Sequence, residues 1–273
     1  MFAEQAEKVG RLLLPAFETP TGIPFSLVAR VNEVLSELDK PDGLVPIYLN
    51  PHSGKWGARE FSIGAMADSY YEYLLKTWII TGKKNRETKK VYDQVTEAMK
   101  KKMLFTSQKD KLVYVPFAKN EMNTTNRVGI IRLAEDLAHT CHESYARSEV
   151  GLGPESFQFN AEGREAMGIR DKYYILRPEV VEGWFYLWRI TKNEKYRTWA
   201  WDMVNSLEKY TRVAAGFSGI RDVYSKTVDH DDVQQSFLFA ETFKYLYLFF
   251  DDSAISLDEW VLNTEAHPFP IRG

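Results

Sequence analysis

The sequence predicts an all-α protein of paired helices, closed into an α/α toroid or, equally, left as an open helical solenoid. Three observations predict it. Apolar residues recur at helical spacing over several turns, as in Tyr70, Tyr73, Leu74 and Trp78. The helical stretches come in pairs joined by short polar turns, Gly82-Lys83-Lys84-Asn85 and Thr191-Lys192-Asn193. Within a pair, the first member is aromatic and apolar with acids near its start, and the second is more charged.

Taken in order, residues 3 to 14 read as a helix with Ala6, Val9 and Leu13 near one face, stopped before Pro15, whose ring disfavours a helical predecessor. Residues 29 to 38 form a short amphipathic helix. Lys40-Pro41-Asp42-Gly43 is a turn, and Leu44 to Leu49 is extended. Ser62 to Thr81 is helical with Asp68 in its first turns, and Thr88 to Leu104 is its lysine-rich partner. Lys111 to Val115 alternates as a strand does. The polar loop 119 to 126 contains Asn123-Thr124-Thr125, a glycosylation sequon by spacing, which matters only in a secreted chain. Helix returns from Val128 to about Val150, and Phe157 to Phe159 is extended. Pro178 to Ile190 and Glu194 to Tyr210 make the next pair. An irregular loop over 216 to 223 precedes a long helix from Asp232 to Phe250.

The chain is organised around Leu176-Arg177-Pro178-Glu179-Val180-Val181-Glu182. Proline suits the first helical position, where its missing N–H costs nothing, so Glu179 falls in the first turn and Glu182 on the same face nearly one turn later. Two carboxylates and a guanidinium meet at one helix mouth. Helix dipoles favour acids there in any case, and Arg177 can serve simply to pair with one of them. Asp68, Glu155 and Glu241 stand out similarly, at a helix start, in a Gly/Pro loop and inside the apolar run Phe237-Leu238-Phe239-Ala240. A carboxylate in such a run costs free energy unless it is solvated or neighbours a cation.

Composition narrows the partners. With 273 residues, 44% hydrophobic and 27% charged, the chain is long enough for a large core. A net charge of -3 with signs interspersed leaves no basic stripe for nucleic acid and no polybasic membrane patch. Seven Trp and fifteen Tyr pack cores, and such rings also stack on sugar faces, which keeps carbohydrate in view. The start, Met1 to Lys8, has neither a basic n-region nor an apolar h-region, and no run approaches the roughly 20 apolar residues of a membrane span. Cys141 alone permits neither an internal disulfide nor a multi-cysteine metal site.

Four blocks carry a family resemblance. Ala67-Asp68-Ser69-Tyr70-Tyr71-Glu72-Tyr73-Leu74-Leu75-Lys76, Leu176-Arg177-Pro178-Glu179-Val180-Val181-Glu182, Ser236-Phe237-Leu238-Phe239-Ala240-Glu241-Thr242-Phe243-Lys244-Tyr245 and Asn263-Thr264-Glu265-Ala266-His267-Pro268 together resemble class I α-1,2-mannosidases, glycoside hydrolase family 47. The resemblance implies an (α/α)7 barrel that trims α-1,2-linked mannose from high-mannose N-glycans or glycoproteins in the endoplasmic reticulum or Golgi, with inversion and bound Ca2+. It implies active-site carboxylates at Asp68, Glu155 and Glu179, and a direct calcium ligand at Thr264 through hydroxyl and carbonyl. Arg177, Glu182, Phe237, Glu241 and Glu265 match residues lining the mannose subsite, the acids also fixing calcium-bound waters. Inverting hydrolysis needs an acid on the leaving oxygen and a base holding water opposite, roughly 6.5 to 9.5 Å apart. A hard cation with oxygen ligands suits one Thr, carboxylates and waters.

The resemblance also exposes departures. Residues 1 to 273 correspond to one partial domain lacking the family's N-terminal helices, among them one bearing an acid assigned as proton donor. Further family segments have no match near Val28-Ala29-Arg30 and between Asn126 and Val128. Cys141 matches the second cysteine of a family disulfide whose first is absent, and Met66 replaces a residue that faces the glycan branches. A second functional class follows: a non-catalytic glycan-binding or quality-control module that keeps the calcium floor and a mannose subsite.

Overall fold

The computed structural model describes residues 35–50, 52–64, 67–116, 129–159 and 168–272. The helices expected over 3–14 and 29–38, apart from a closing turn at 35–37, lie outside the described residues, as do Met66 and the Asn123 sequon. Six helices carry the architecture: α1 (Asp68–Ile80), α2 (Arg86–Lys102), α3 (Ile130–Ala146), α4 (Glu179–Thr191), α5 (Lys195–Tyr210) and α6 (Phe243–Phe250). Among the described residues, strands form five two-stranded antiparallel ladders that tie loops together. The one over 111–115 shrinks to Val113–Tyr114, paired with Phe105–Thr106.

Helix ends follow local chemistry. Asn85 caps α2, its side-chain oxygen accepting from the Thr88 amide at 3.3 Å, and Lys100 to Lys102 close the helix where the dipole favours cations. Pro178 sits one position earlier than expected, as the N-cap of α4, and its carbonyl accepts the first helical bond from Glu182 N at 2.9 Å. The long helix expected from Asp232 begins only near Phe237, with a π-helical turn over Leu238–Thr242 leading into α6. The cause is turn chemistry at the front. Asp231 Oδ1 accepts from Val233 N at 2.9 Å, Asp232 N donates to Ser218 Oγ at 3.0 Å, and Asp232 takes a left-handed φ of 61°. Short polar side chains that bond to nearby backbone in this way divert the chain from helix.

The apolar residues segregate into a large cluster and smaller ones. In the large cluster α4 is the hub: Val181, Trp184, Phe185 and Trp188 are buried and meet Ala138 and Tyr145 of α3, Ala200 and Met203 of α5, and Tyr245 and Phe249 of α6. A separate cluster joins Leu74 of α1 to Val91 and Val95 of α2, and another joins Leu44 and Phe61 to Ala98 and Met103. Of the stripe expected on α1, Leu74 alone is buried, and Lys76 is the other buried side chain of that helix. Polar contacts help to join these bodies. Thr140 Oγ1 bonds Val113 O at 2.6 Å, Arg147 pairs with Asp110 at 3.0 Å, and Arg272 N donates to Ile80 O at 3.0 Å.

Gly153 shows how tightly the loop before the hub helix is held. A Cβ there would lie 2.2 Å from a ring carbon of buried Tyr145, so the loop approaches that ring as only glycine can. Gly153→Ala is expected to destabilise the protein by about 1–3 kcal/mol, read as a lower urea midpoint at unchanged slope.

Candidate active site

A cavity of about 700 Å³ opens between α1, α2 and α3 on one side and the starts of α4 and α6 on the other. Its charged and hydroxyl-bearing wall includes Asp68, Glu72, Lys76, Lys100, Arg177, Glu179, Glu182, Glu241, Thr264 and Glu265, with the Phe237 ring among them, brought from five separate parts of the chain. Eight of the nine residues expected at a site are therefore together. Glu155 is not on the wall. It stands behind it and receives Arg177, with Nε to Oε1 at 2.9 Å and Nη2 to Oε1 at 2.6 Å.

Each side chain is placed by an identifiable device. The peptide leading into α4 is bridged to Ile220 by reciprocal backbone bonds from Tyr174, both 2.8 Å. Leu176 then takes a φ of 69° while fully buried, a conformation that costs an L-residue free energy and persists only when its surroundings impose it. Thr242 Oγ1 donates to the Leu176 carbonyl at 2.8 Å and fixes it from the π-helical turn. Arg177 emerges from this kink with its guanidinium 5.6 Å from the Phe237 ring centroid, held by Glu155 and 3.5 Å from Glu179. The pairing with a first-turn acid that the sequence allows is thus secondary to Glu155.

Asp68 opens α1, its Oδ1 accepting from Ser69 N at 2.8 Å. Glu182 Oε1 accepts from Tyr245 OH at 2.8 Å and lies 3.8 Å from Lys76 Nζ, which also pairs with Glu72. Sequence reasoning missed Glu72, Lys76 and Tyr245 as members of the site, although all three fall in resembling blocks. Their signal was the i, i+4, i+8 run Asp68, Glu72, Lys76 on one face of an otherwise apolar helix. Thr264 and Glu265 sit on the turn between strands Trp260–Leu262 and Pro268–Pro270. There Asn263 Oδ1 accepts from Glu265 N at 2.9 Å and His267 N at 2.8 Å, and Lys244 Nζ bonds the Ala266 carbonyl at 2.9 Å.

The electrostatics are lopsided. Lys76 and Arg177 are each engaged by two carboxylates. Glu241, only 6% exposed, is pushed up to about 7 by burial and by the neighbouring charges of Glu265 and Glu179. Burial also raises Glu179 and Glu182 above the usual carboxylate range. Such a pocket favours a cation or protons.

A second cluster, His139, His142 and Glu143 on α3, does not line the cavity. Glu143 is held by Arg147 at 2.9 Å and the His142 ring stacks on Trp199 at 4.0 Å, so these groups serve the packing of α3 on α5. The Cys141 thiol is free and burial pushes it up to about 11, consistent with an inert apolar role.

Because the folded-state pKa of Glu241 is raised, it stabilises the fold when protonated, and that contribution is lost as pH rises toward about 7. In a divalent-free buffer, the stability of the wild type relative to Glu241→Gln should therefore fall between about pH 4.5 and pH 7. Paired urea titrations across that range check the sign.

Comparison with known proteins places this geometry. The model of glycosyl hydrolase family 47 matches residues 25–130 and 117–271. The chain is 40% identical to a mannosyl-oligosaccharide alpha-1,2-mannosidase IA of Spodoptera frugiperda, over all of this chain and 51% of that protein. It is 38% identical to the human mannosyl-oligosaccharide 1,2-alpha-mannosidase IB, over 99% of this chain and 53% of that protein. The chain thus spans about half the length of these relatives. Both alignments run over 343 residues, more than the 273 here, so the relatives carry internal stretches without counterpart in this chain. Among solved structures, an alpha-1,2-mannosidase from Trichoderma reesei superposes with a TM-score of 0.78 at 23% identity, covering 90% of this chain and 61% of that one. The helix pairs are therefore those of an α/α barrel, the closed reading of the two that the sequence left open.

Proposed function

Because the chain belongs to glycosyl hydrolase family 47, we propose that it serves calcium-dependent hydrolysis of α-1,2-linked mannose from high-mannose N-glycans, as one partial domain of an enzyme of the secretory pathway. The observation that carries this reading is the single cavity into which Asp68, Arg177, Glu179, Glu182, Phe237, Glu241, Thr264 and Glu265 converge. A pyranose offers hydroxyls around its rim and an apolar face, and this wall offers carboxylates, a guanidinium and a ring in return.

Asp68 and Glu179 come to the cavity from the starts of different helices, the arrangement an inverting pair needs if a water is to fit between carboxylate and sugar. Desolvation by the cavity walls raises Glu179 above the usual carboxylate range although its side chain stays open to the cavity, which favours its holding a proton. Glu155 acts one step back. By holding the Nε/Nη2 edge of Arg177 it leaves the Nη1 side free to face the cavity, so it is a positioning residue. Phe237, under the guanidinium, supplies the apolar face, and Glu182 accepts from sugar hydroxyls while Tyr245 fixes its orientation.

The donor set fits Ca2+. Thr264, on a turn held by its neighbours, offers hydroxyl and carbonyl, and Glu241, Glu265 and Glu182 surround it with negative charge that the nearby cations do not balance. When bound, the ion supplies a hard centre for sugar hydroxyls and water. Unmet charge in the cavity is the feature that favours an ion here over a purely protein-built sugar pocket.

Release of mannose from a high-mannose N-glycan should require Ca2+, and Glu179→Gln should lower the rate by about 100- to 10000-fold, measured by chromatography of the trimmed glycan. Calcium should also raise the melting temperature, more at pH 7.5 than at pH 5, since acids must ionise to hold it. Calcium-linked stabilisation and glycan binding without turnover would move the assignment to a binding module.

A further inference from the structure

Lys76 stands out because nothing in the chemistry above requires a buried ammonium. Its residue is 9% exposed, on a helix whose other cavity-lining residues are Asp68, Glu72 and Tyr71. The ammonium faces Glu72 from its own helix, Glu182 at 3.8 Å from α4 and the Tyr186 ring at 5.9 Å, with Tyr245 of α6 joined through the same Glu182 oxygen. The helices it connects belong to different apolar clusters, α1 with α2 and α4 with α3, α5 and α6. The nonpolar packing that fixes each helix therefore does not by itself fix one against the other. Asp68, Glu72 and Lys76 lie at i, i+4 and i+8 on one face, so any shift of α1 at Lys76 carries Asp68 with it.

We propose that Lys76 is a positioning residue of the site: its ammonium, bridging Glu72 and Glu182, sets the spacing and register of the helix bearing Asp68 against the helix bearing Glu179 and Glu182. It rests on the mannosidase reading for its consequence and on geometry alone for the link. A buried cation between two carboxylates suits this task. Removing one partner strands a charge, whereas removing both does not, so the link is held at one distance with little tolerance for half-measures. Lysine's flexible stem reaches across from the third turn of α1, and a neutral side chain of equal length would leave the acids facing each other.

The experiment combines a stability cycle with kinetics. Urea midpoints are measured for the wild type, Lys76→Met, Glu182→Gln and the double variant. The double variant should be no less stable than the worse single variant, and the coupling needs no activity to be read. On α-1,2-linked mannobiose, Lys76→Met should raise KM about tenfold or more with a smaller change in kcat, the size of one charged hydrogen-bonding partner lost, and Lys76→Arg should recover most of that loss. If Lys76→Met fails to fold alone, the double variant, in which only the partly exposed Glu72 keeps an unmatched charge, still reports whether Lys76 and Glu182 are linked. Additive midpoints overturn the link. Unchanged KM in a folded Lys76→Met, or an arginine variant as impaired as the methionine one, overturns the positioning role. A coupled cycle in a wild type that neither binds nor cleaves the disaccharide supports the link and removes the mannosidase reading instead.

Discussion

The constraint on which this structure depends is the gathering of more carboxylates than cations around one cavity. Carboxylates repel one another and lose hydration when enclosed, so each must be solvated, protonated or held by a donor. The protein uses all three. Asp68, Glu179 and Glu265 stay exposed to the cavity, Glu241 is pushed toward neutrality, and Glu155 and Glu182 are tied to Arg177, Lys76 and Tyr245. Six lining carboxylates against three lining cations, Lys76, Lys100 and Arg177, leave the floor with an appetite for a hard ion, which is how the local charge imbalance and the proposed chemistry become one statement.

The fold supports this by anchoring the elements that carry the acids in separate apolar clusters. The large cluster around Trp184 and Phe185 holds α4 rigidly from three sides, so the acids at its start are presented from a fixed platform. The kink at Leu176 is imposed by the Tyr174–Ile220 bridge on one side and by Thr242 on the other, and it turns Arg177 toward Phe237. Strain in the approach to a helix is here part of what aims a side chain.

Much of the arrangement was legible in the sequence because it follows from local rules. Helix pairing, the polar turns and the acids at the starts of α1 and α4 are periodic or positional signals. The late start of the helix leading into α6 was not, since Asp232 looks like a helix opener until Ser218, far back in the chain, takes its amide. Glu155 and Arg177 illustrate the same limit. Each was picked out singly, but their pairing depends on a loop folding back, with Glu155 N bonded to Tyr173 O at 2.7 Å, and no spacing rule encodes that. Lys76 was not singled out from the sequence, because its burial is created by a helix more than a hundred positions away.

The π-helical turn at Leu238–Thr242 has a consequence for what lengths the chain tolerates. Such a turn holds one residue more than an α-helical path between the same ends, and each residue advances a helix by about 100°. Deleting Thr242 would restore a regular helix and leave the apolar run and every hydrophobic count unchanged, yet rotate Phe237, Glu241 and the residues before them relative to Tyr245. Glu241 and Tyr245 could then no longer serve the same cavity. The segment is therefore phased like a reading frame: a substitution is judged on its chemistry alone, whereas a one-residue indel shifts the meaning of everything upstream of it.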